Sequence, residues 1–215
     1  MADIFDLFKQ IAKKEEPAAA PISWLIVGLG NPGEKDRMTR HNAGFLTLDY
    51  LAEQYGARVD RAKFHALCGE ATVGGHRVLL MKPQTLMNAS GLAVQEAAAF
   101  YKLTPAQILV ISDDIAQDPG RMRVRRKGSA GGQKGLNDII VCLGTDDFPR
   151  LRMGVGAKPH PDFDLGDWVL SEFRPEEKKR LFDSFPTAKQ GIERILDGDL
   201  DAAMQICNSY APSGN

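Results

Sequence analysis

Cysteine is scarce in this sequence and shows no paired arrangement. The three cysteines, Cys68, Cys142 and Cys207, are odd in number, lie far apart and form no Cys-x-x-Cys pair. This spacing does not fit a disulfide framework or a zinc site, and it favours the reducing cytoplasm. The four histidines also lack the spacing of metal ligands. We therefore expect a cytoplasmic protein without a metal site.

Long apolar runs are missing too. No run approaches the roughly 20 residues that span a bilayer, so we expect no membrane association. The first residues place Asp3 and Asp6 where a secretory signal would be basic and then apolar, so we expect no such signal. With 215 residues, 43% of them hydrophobic, the sequence is suited to one domain with a substantial core.

Neither sign of charge dominates, since the formal net charge is only −1. Residues 121–134 nevertheless contain six cations and no acid: Arg121, Arg123, Arg125, Arg126, Lys127 and Lys134. A local block of this kind can attract phosphate even when the average charge is neutral. Taken alone, it is more typical of an edge strand that positive charge protects from unwanted pairing.

The pattern along the chain separates a short N-terminal segment from the main domain. Residues 1–21 have an apolar stripe at helical spacing, then a charged run and a Pro-Ala linker, which predicts an N-terminal extension and linker. Residues 22–215 alternate strands and helices, with a predicted hairpin at 67–81. We predict an α/β fold: a single-domain three-layer sandwich with a central mixed β-sheet and helices on both faces.

Polar side chains follow the predicted buried strands at their carboxyl ends, where α/β sheets usually place ligands. Asn31 and His41 follow the first strand, Asn88 follows the strand of the hairpin, and Asp113 follows the strand at 108–112. A histidine oriented by a carboxylate, with amide donors nearby, can deprotonate water and stabilise an oxyanion. The set suits hydrolysis of an activated acyl bond such as an ester.

Each of these residues also has an ordinary structural interpretation as a cap or turn residue. The glycines Gly28, Gly30 and Gly33 match a dinucleotide-binding fingerprint, which would indicate a nucleotide-binding oxidoreductase. Pro32 interrupts that pattern at the point where a phosphate-facing helix should begin, so this alternative is disfavoured.

Several motifs together resemble the bacterial-type peptidyl-tRNA hydrolase family. They are GLGNPG at 28–33, TRHNAG at 39–44, KPQTLMNASG at 82–91, Asp113-Asp114, Pro119-Gly120 and GSAGGQKGL at 128–136. They occur in the order and spacing of the family, over residues 24–207. The resemblance implies cleavage of the ester that joins a peptide to the ribose of tRNA, which recycles tRNA, with no metal or cofactor.

The resemblance also implies roles for individual residues. It makes His41 the catalytic base and Asp113 the carboxylate that orients it. Asn31 and Asn88 match substrate-binding asparagines, and Met87 matches an apolar wall beside them. Arg123 and Arg125 match basic residues that hold the terminal phosphate of the tRNA, with Arg150 or Arg152 completing that clamp. The partner is then peptidyl-tRNA, and we expect a monomer.

The sequence departs from the family pattern at two places. Asp36 stands where the family often has a tyrosine, and Gln133-Lys134 stands where many members have His-Asn. We expect Lys134 to bind substrate through its charge, in place of the missing asparagine. Asp36 and Lys134 also keep open an alternative function: a catalytically weak RNA-binding or splicing-partner relative of the same fold.

Overall fold

The computed structural model describes residues 20–212, so of the predicted extension 1–21 only Ala20 and Pro21 lie within it. Within this range seven strands form one sheet in the order β2-β3-β4-β1-β5-β7-β6. The strands are β1 Trp24–Gly28, β2 Arg61–Lys63, β3 Ala66–Val73, β4 His76–Pro83, β5 Ile108–Asp114, β6 Met122–Arg125 and β7 Arg150–Gly154.

Six α-helices accompany the sheet in the described part of the chain. They are α1 Ala43–Gln54, α2 Ser90–Tyr101, α3 Lys134–Leu143, α4 Leu165–Val169, α5 Pro175–Leu196 and α6 Leu200–Ser209. Short 3₁₀ turns precede two of them, Arg40–Asn42 before α1 and Met87–Ala89 before α2.

The sheet is mixed, as predicted. Its centre, β4-β1-β5-β7, is parallel, whereas β2 and β3 pair antiparallel on one side and β6 pairs antiparallel with β7 on the other. The carboxyl ends of the four central strands therefore meet at one edge of the sheet.

Two apolar clusters, one on each face of the sheet, confirm the predicted three layers. Ile26 and Ile111 belong to the cluster that includes residues of α1, α5 and α6. Val27 and Val110 belong to the cluster that includes residues of α2 and α3. Successive strand side chains point to opposite faces, so each central strand contributes to both clusters. Each fully buried side chain of this size adds about 1.5–3 kcal/mol to stability.

The structure differs from the sequence-based expectation in three elements. Strand β2 was not predicted, because its residues Arg61–Lys63 are all exposed and carry no apolar alternation. Helix α4 was not predicted, because it has only five residues in a stretch rich in Pro, Asp and Gly. Strand β5 continues to Asp114, two residues beyond the predicted end, and this places Asp113 on a rigid strand.

Close packing at Gly44 brings α1 onto the end of β1 and the middle of β5. A Cβ atom there would lie 2.4 Å from the Ile111 carbonyl oxygen and 2.5 Å from the Leu29 nitrogen, so only glycine fits. The glycine turn at 28–33 leads into a 3₁₀ turn, Glu34–Asp36, and α1 begins only at Ala43. The strand–turn–helix connection of a dinucleotide site is therefore absent at this turn.

Candidate active site

The predicted base and carboxylate lie side by side. His41 belongs to the 3₁₀ turn Arg40–Asn42, and its Nδ1 lies 3.0 Å from Oδ2 of Asp113 on β5. The side chains are 12% and 4% exposed, respectively. When Nδ1–H donates to the carboxylate, the lone pair of Nε2 is left to accept a proton. The pair thus has the geometry of a general base oriented by a carboxylate.

Gln133 holds the same carboxylate from the other side. Its Nε2 donates to Oδ1 of Asp113 at 3.0 Å, and its Oε1 accepts from the Leu136 amide at 2.6 Å as the N-cap of α3. Sequence reasoning treated Gln133 only as a departure from the family pattern and missed this contact. The available signal was a polar residue at a helix start, which identifies a cap but not the tertiary partner.

Asn31 connects two loops of the site. Its main-chain N–H donates to Oδ1 of Asn42 at 2.8 Å, and the Asn42 amide donates back to the Asn31 carbonyl at 2.9 Å. Its side-chain Oδ1 accepts from the Met87 amide at 3.2 Å. These bonds hold the Gly-Asn-Pro-Gly turn against the turn before α2, and Asn31 and Met87 line the same cavity as His41.

Asn88 and Met87 sit at the start of α2 in different environments. Met87 is buried and Asn88 is exposed. The N-cap residue of α2 is Ala89 and has no capping side chain, so the capping interpretation of Asn88 does not hold.

A cavity of about 520 Å³ opens at the carboxyl edge of the sheet. Seven predicted site residues line it: Asn31, His41, Met87, Asn88, Asp113, Lys134 and Arg152. Its apolar wall includes the exposed side chains of Leu86, Leu165 and Leu170. Asp164, Leu165 and Gly166, at and just before the start of α4, also line the cavity.

Lys134 stands at the rim of this cavity as the first residue of α3, and it is exposed. A cation beside a helix N-terminus adds to the positive potential there, because the first amides of a helix already point outward. The position suits contact with a negative group of a ligand.

The predicted arginine clamp divides into exposed and buried members. Met122 and Val124 of β6 pack into the core, so Arg123 and Arg125 project from the other face and are exposed. Neither lines the cavity, but Arg123 is the cross-strand partner of Arg152, which does. The Nε of Arg152 also lies 3.2 Å from Oδ2 of Asp114.

Arg150, the alternative to Arg152 in that clamp, is only 1% exposed. Its guanidinium donates to the carbonyl oxygens of Gly128, Asp146 and Phe148. These bonds commit Arg150 to the interior of the fold, and Arg152 alone of the two lines the cavity.

Residues 20–212 contain neither a metal-binding cluster nor a membrane-spanning helix. No group of three or more His, Cys, Asp or Glu side chains in this range is arranged to hold a metal ion. No helix in the same range is long and apolar enough to cross a membrane.

Comparison with known proteins identifies the family. The family model described as peptidyl-tRNA hydrolase matches residues 25–214. The chain belongs to the peptidyl-tRNA hydrolase family. It is 48% identical over 187 residues to the peptidyl-tRNA hydrolase of Caldicellulosiruptor bescii, covering 87% of this chain and 97% of that protein. The enzyme of Clostridium botulinum (strain Eklund 17B) is 46% identical, with 87% and 96% covered.

Solved structures agree with this family membership. The crystal structure of peptidyl-tRNA hydrolase from Acinetobacter baumannii superposes with a TM-score of 0.84 at 34% identity, covering 91% of this chain and 100% of that one. The resemblance seen in the sequence and the α/β fold are therefore confirmed. These matches give no support to a catalytically weak RNA-binding relative.

Proposed function

We propose that this cavity hydrolyses the ester bond between a peptide, or an N-acylated amino acid, and tRNA. The observation that carries the proposal is the His41–Asp113 pair, which lies at 3.0 Å and borders an open cavity beside a row of arginines. The family membership supports it. Hydrolysis of this ester returns tRNA for use in translation.

The proposed reaction needs only the residues of this site and water. Nε2 of His41 takes a proton from a water molecule, whose oxygen attacks the ester carbonyl carbon. The tetrahedral intermediate then collapses, the bond to the ribose oxygen breaks, and the imidazolium returns its proton to that oxygen. Asp113 keeps the imidazole in the required tautomer and stabilises the imidazolium. The products are tRNA with a free ribose hydroxyl and a peptide carboxylic acid, which loses its proton to solvent and leaves as the carboxylate.

The remaining cavity residues are proposed to position the substrate. Asn31 and Asn88 supply polar groups near the ester and the peptide main chain, and Met87 forms an apolar wall beneath them. Lys134 contacts a negative group, either the developing oxyanion or a phosphate. All four side chains line the same cavity as His41, which supports these roles.

The tRNA is proposed to lie across the β6 edge of the sheet. Arg123 and Arg125 are exposed there, and Arg152 extends the row toward His41. Phosphate contacts fix the register of a nucleic acid on a protein surface, and arginine grips phosphate with two parallel donors. The row therefore orients the acceptor end toward the base.

We further propose that residues 22–215 act as one catalytic domain, with residues 1–21 as an accessory extension. The enzyme is proposed to act as a monomer in the cytoplasm. Three free thiols in the described residues fit a reducing compartment.

The test compares N-acylated aminoacyl-tRNA with free aminoacyl-tRNA as substrates. We expect release of the acylated amino acid only, and its loss in His41→Ala. The matched control is His76→Ala, a histidine that lies near Asp197 and outside the cavity. Tight tRNA binding by the unmodified protein without any turnover would contradict the proposal, as would full activity in His41→Ala.

A further inference from the structure

The residue before the base carries a buried charge that the reaction does not use. Arg40 is 1% exposed. Its guanidinium donates to the Val155 carbonyl at 2.8 Å, to Oε2 of Glu177 at 2.6 Å and to Oγ of Ser171 at 3.2 Å. Burying an arginine is costly unless its donors are satisfied, so this set of contacts is a specific feature of the fold.

Glu177, at the start of α5, holds the other half of this charge pair. Burial by itself raises the pKa of its carboxyl, but hydrogen bonds from the Arg174 amide and from Arg40, with the charges of both arginines, hold that pKa below its ordinary value of 4.5. Glu177 is therefore ionised at neutral pH, and the pair with Arg40 is a true ion pair. This ion pair connects the 3₁₀ turn that contains His41 to the first turn of α5.

Arg40 also contacts α4 and the residues just after it, which form the apolar wall of the cavity. Its guanidinium carbon lies 3.8 Å from the ring centroid of Trp168 in α4, and its main-chain N–H donates to the Ser171 carbonyl at 3.0 Å. The Trp168 indole N–H in turn donates to the Gly156 carbonyl at 2.8 Å. Leu165, Val169 and Leu170 of the same segment line the cavity.

We propose that Arg40 is a positioning residue that fixes the distance between the base His41 and the cavity wall formed by α4. Arg40 is bonded directly to His41 on one side of the cavity, and its guanidinium packs on Trp168 of α4 on the other side. Arg40 is therefore a single anchor for both sides of the cavity. The proposal rests on the role of His41 given above. The width of the cavity then depends on the contacts of Arg40 with Glu177 and Trp168.

Loosening this anchor has a defined kinetic consequence. A wall that samples several positions binds substrate well in only a fraction of molecules, which raises KM in proportion. Small displacements of a reacting group also lower kcat, by up to about 100-fold for 1 Å. A residue that only stabilises the fold would instead lower the melting temperature and leave the kinetics of the folded protein unchanged.

A fluorescence experiment measures the mobility of the cavity wall independently of enzyme activity. The chain has two tryptophans, so Trp24→Phe leaves Trp168 as the single reporter. In that background, Arg40→Lys and Glu177→Gln should increase acrylamide quenching of Trp168 while circular dichroism stays that of the parent. The matched control is Arg77→Lys, which disturbs an ion pair with Glu70 outside the cavity and should leave quenching unchanged.

Steady-state kinetics with N-acylaminoacyl-tRNA complete the test, below the melting temperature of every variant. We expect Arg40→Lys and Glu177→Gln to lower kcat/KM by about 10- to 100-fold, and Arg77→Lys to leave it unchanged. The pH midpoint of the rate should not move, because the anchor acts through geometry. Unchanged quenching or unchanged kcat/KM in both anchor variants would overturn the proposal. If the parent enzyme shows no turnover, the proposed function fails, and quenching alone still decides whether Arg40 holds the wall.

Discussion

Both oxygens of the Asp113 carboxylate are held, one by Gln133 Nε2 at 3.0 Å and the other near His41 Nδ1 at 3.0 Å. A carboxylate fixed at both oxygens cannot rotate away from the imidazole. Gln133 is itself fixed, because its Oε1 accepts from the Leu136 amide. Gln133 thus connects the His41–Asp113 pair to the first turn of α3. The orientation of the His41 imidazole therefore depends on the residue that caps this helix.

Gln133→Leu should therefore lower turnover. It removes a hydrogen bond to a charged group, which is worth about 1.5–3 kcal/mol and corresponds to roughly a 10- to 100-fold change in rate if fully expressed in kcat. Gln133→Glu keeps the oxygen that caps α3 but replaces the donor with a second carboxylate, and it should lose turnover as well. Full kcat in a folded Gln133→Leu enzyme would show that Gln133 acts only as a cap.

Asp113→Asn should reduce kcat far more than it changes KM. The asparagine can present its amide to His41 and so favour the wrong tautomer of the base. The expected loss in kcat is about 10²–10⁴-fold, the usual contribution of general-base catalysis. His41→Ala in the same background should add little, since the two residues act as one unit. Equal losses in kcat and in substrate affinity would mean that Asp113 is structural.

Arg123→Glu combined with Arg125→Glu should weaken tRNA binding and flatten its salt dependence. The slope of log affinity against log salt should fall by about 1 for each phosphate that the variant no longer binds. Cleavage of a minimal ester without the tRNA body should remain nearly intact, because neither arginine lines the cavity. The matched control is Arg58→Glu with Arg61→Glu, an equal charge change beside or on strand β2 at the opposite edge of the sheet.

If the minimal ester and the full substrate suffer equally from the Arg123 and Arg125 changes, the assignment of these residues to phosphate is wrong. An equal loss of tRNA affinity in the control pair would show that only the net charge of the protein matters.

Alkylation of the folded protein should modify Cys142 and leave Cys68 and Cys207 unmodified. Burial raises the pKa of the Cys68 thiol to about 11 and that of Cys207 to about 12. Thiolate is the reactive form, so iodoacetamide at pH 8 should modify neither thiol until the protein unfolds. Burial also raises the pKa of the Cys142 thiol, but this side chain is half-exposed and accessible to the reagent, so it should react first. Peptide mass spectrometry checks the order, and Cys142→Ser should abolish labelling of the folded protein.

Much of the fold followed from local patterns. Apolar runs and turn residues predicted β1, the hairpin of β3 and β4, and most of β5, since these patterns reflect burial on one or both faces of an element. The rule that ligands lie at the carboxyl ends of parallel strands was enough to place Asn31, His41, Asn88 and Asp113 together. Periodicity gave no sign of β2 or α4, because one is wholly exposed and the other is a single short turn.

The sequence by itself determined which chemical groups are available, and their order along the chain placed them near one edge of a sheet. Only the tertiary structure decided which groups meet: Gln133 with Asp113, Arg40 with Glu177, and Arg152 rather than Arg150 with the cavity. Arg40 and Glu177 are separated by 137 residues, and their pairing depends on how α5 packs against the sheet. Hydrogen bonds depend on distances of tenths of an ångström and on direction, and local sequence patterns specify neither across such separations.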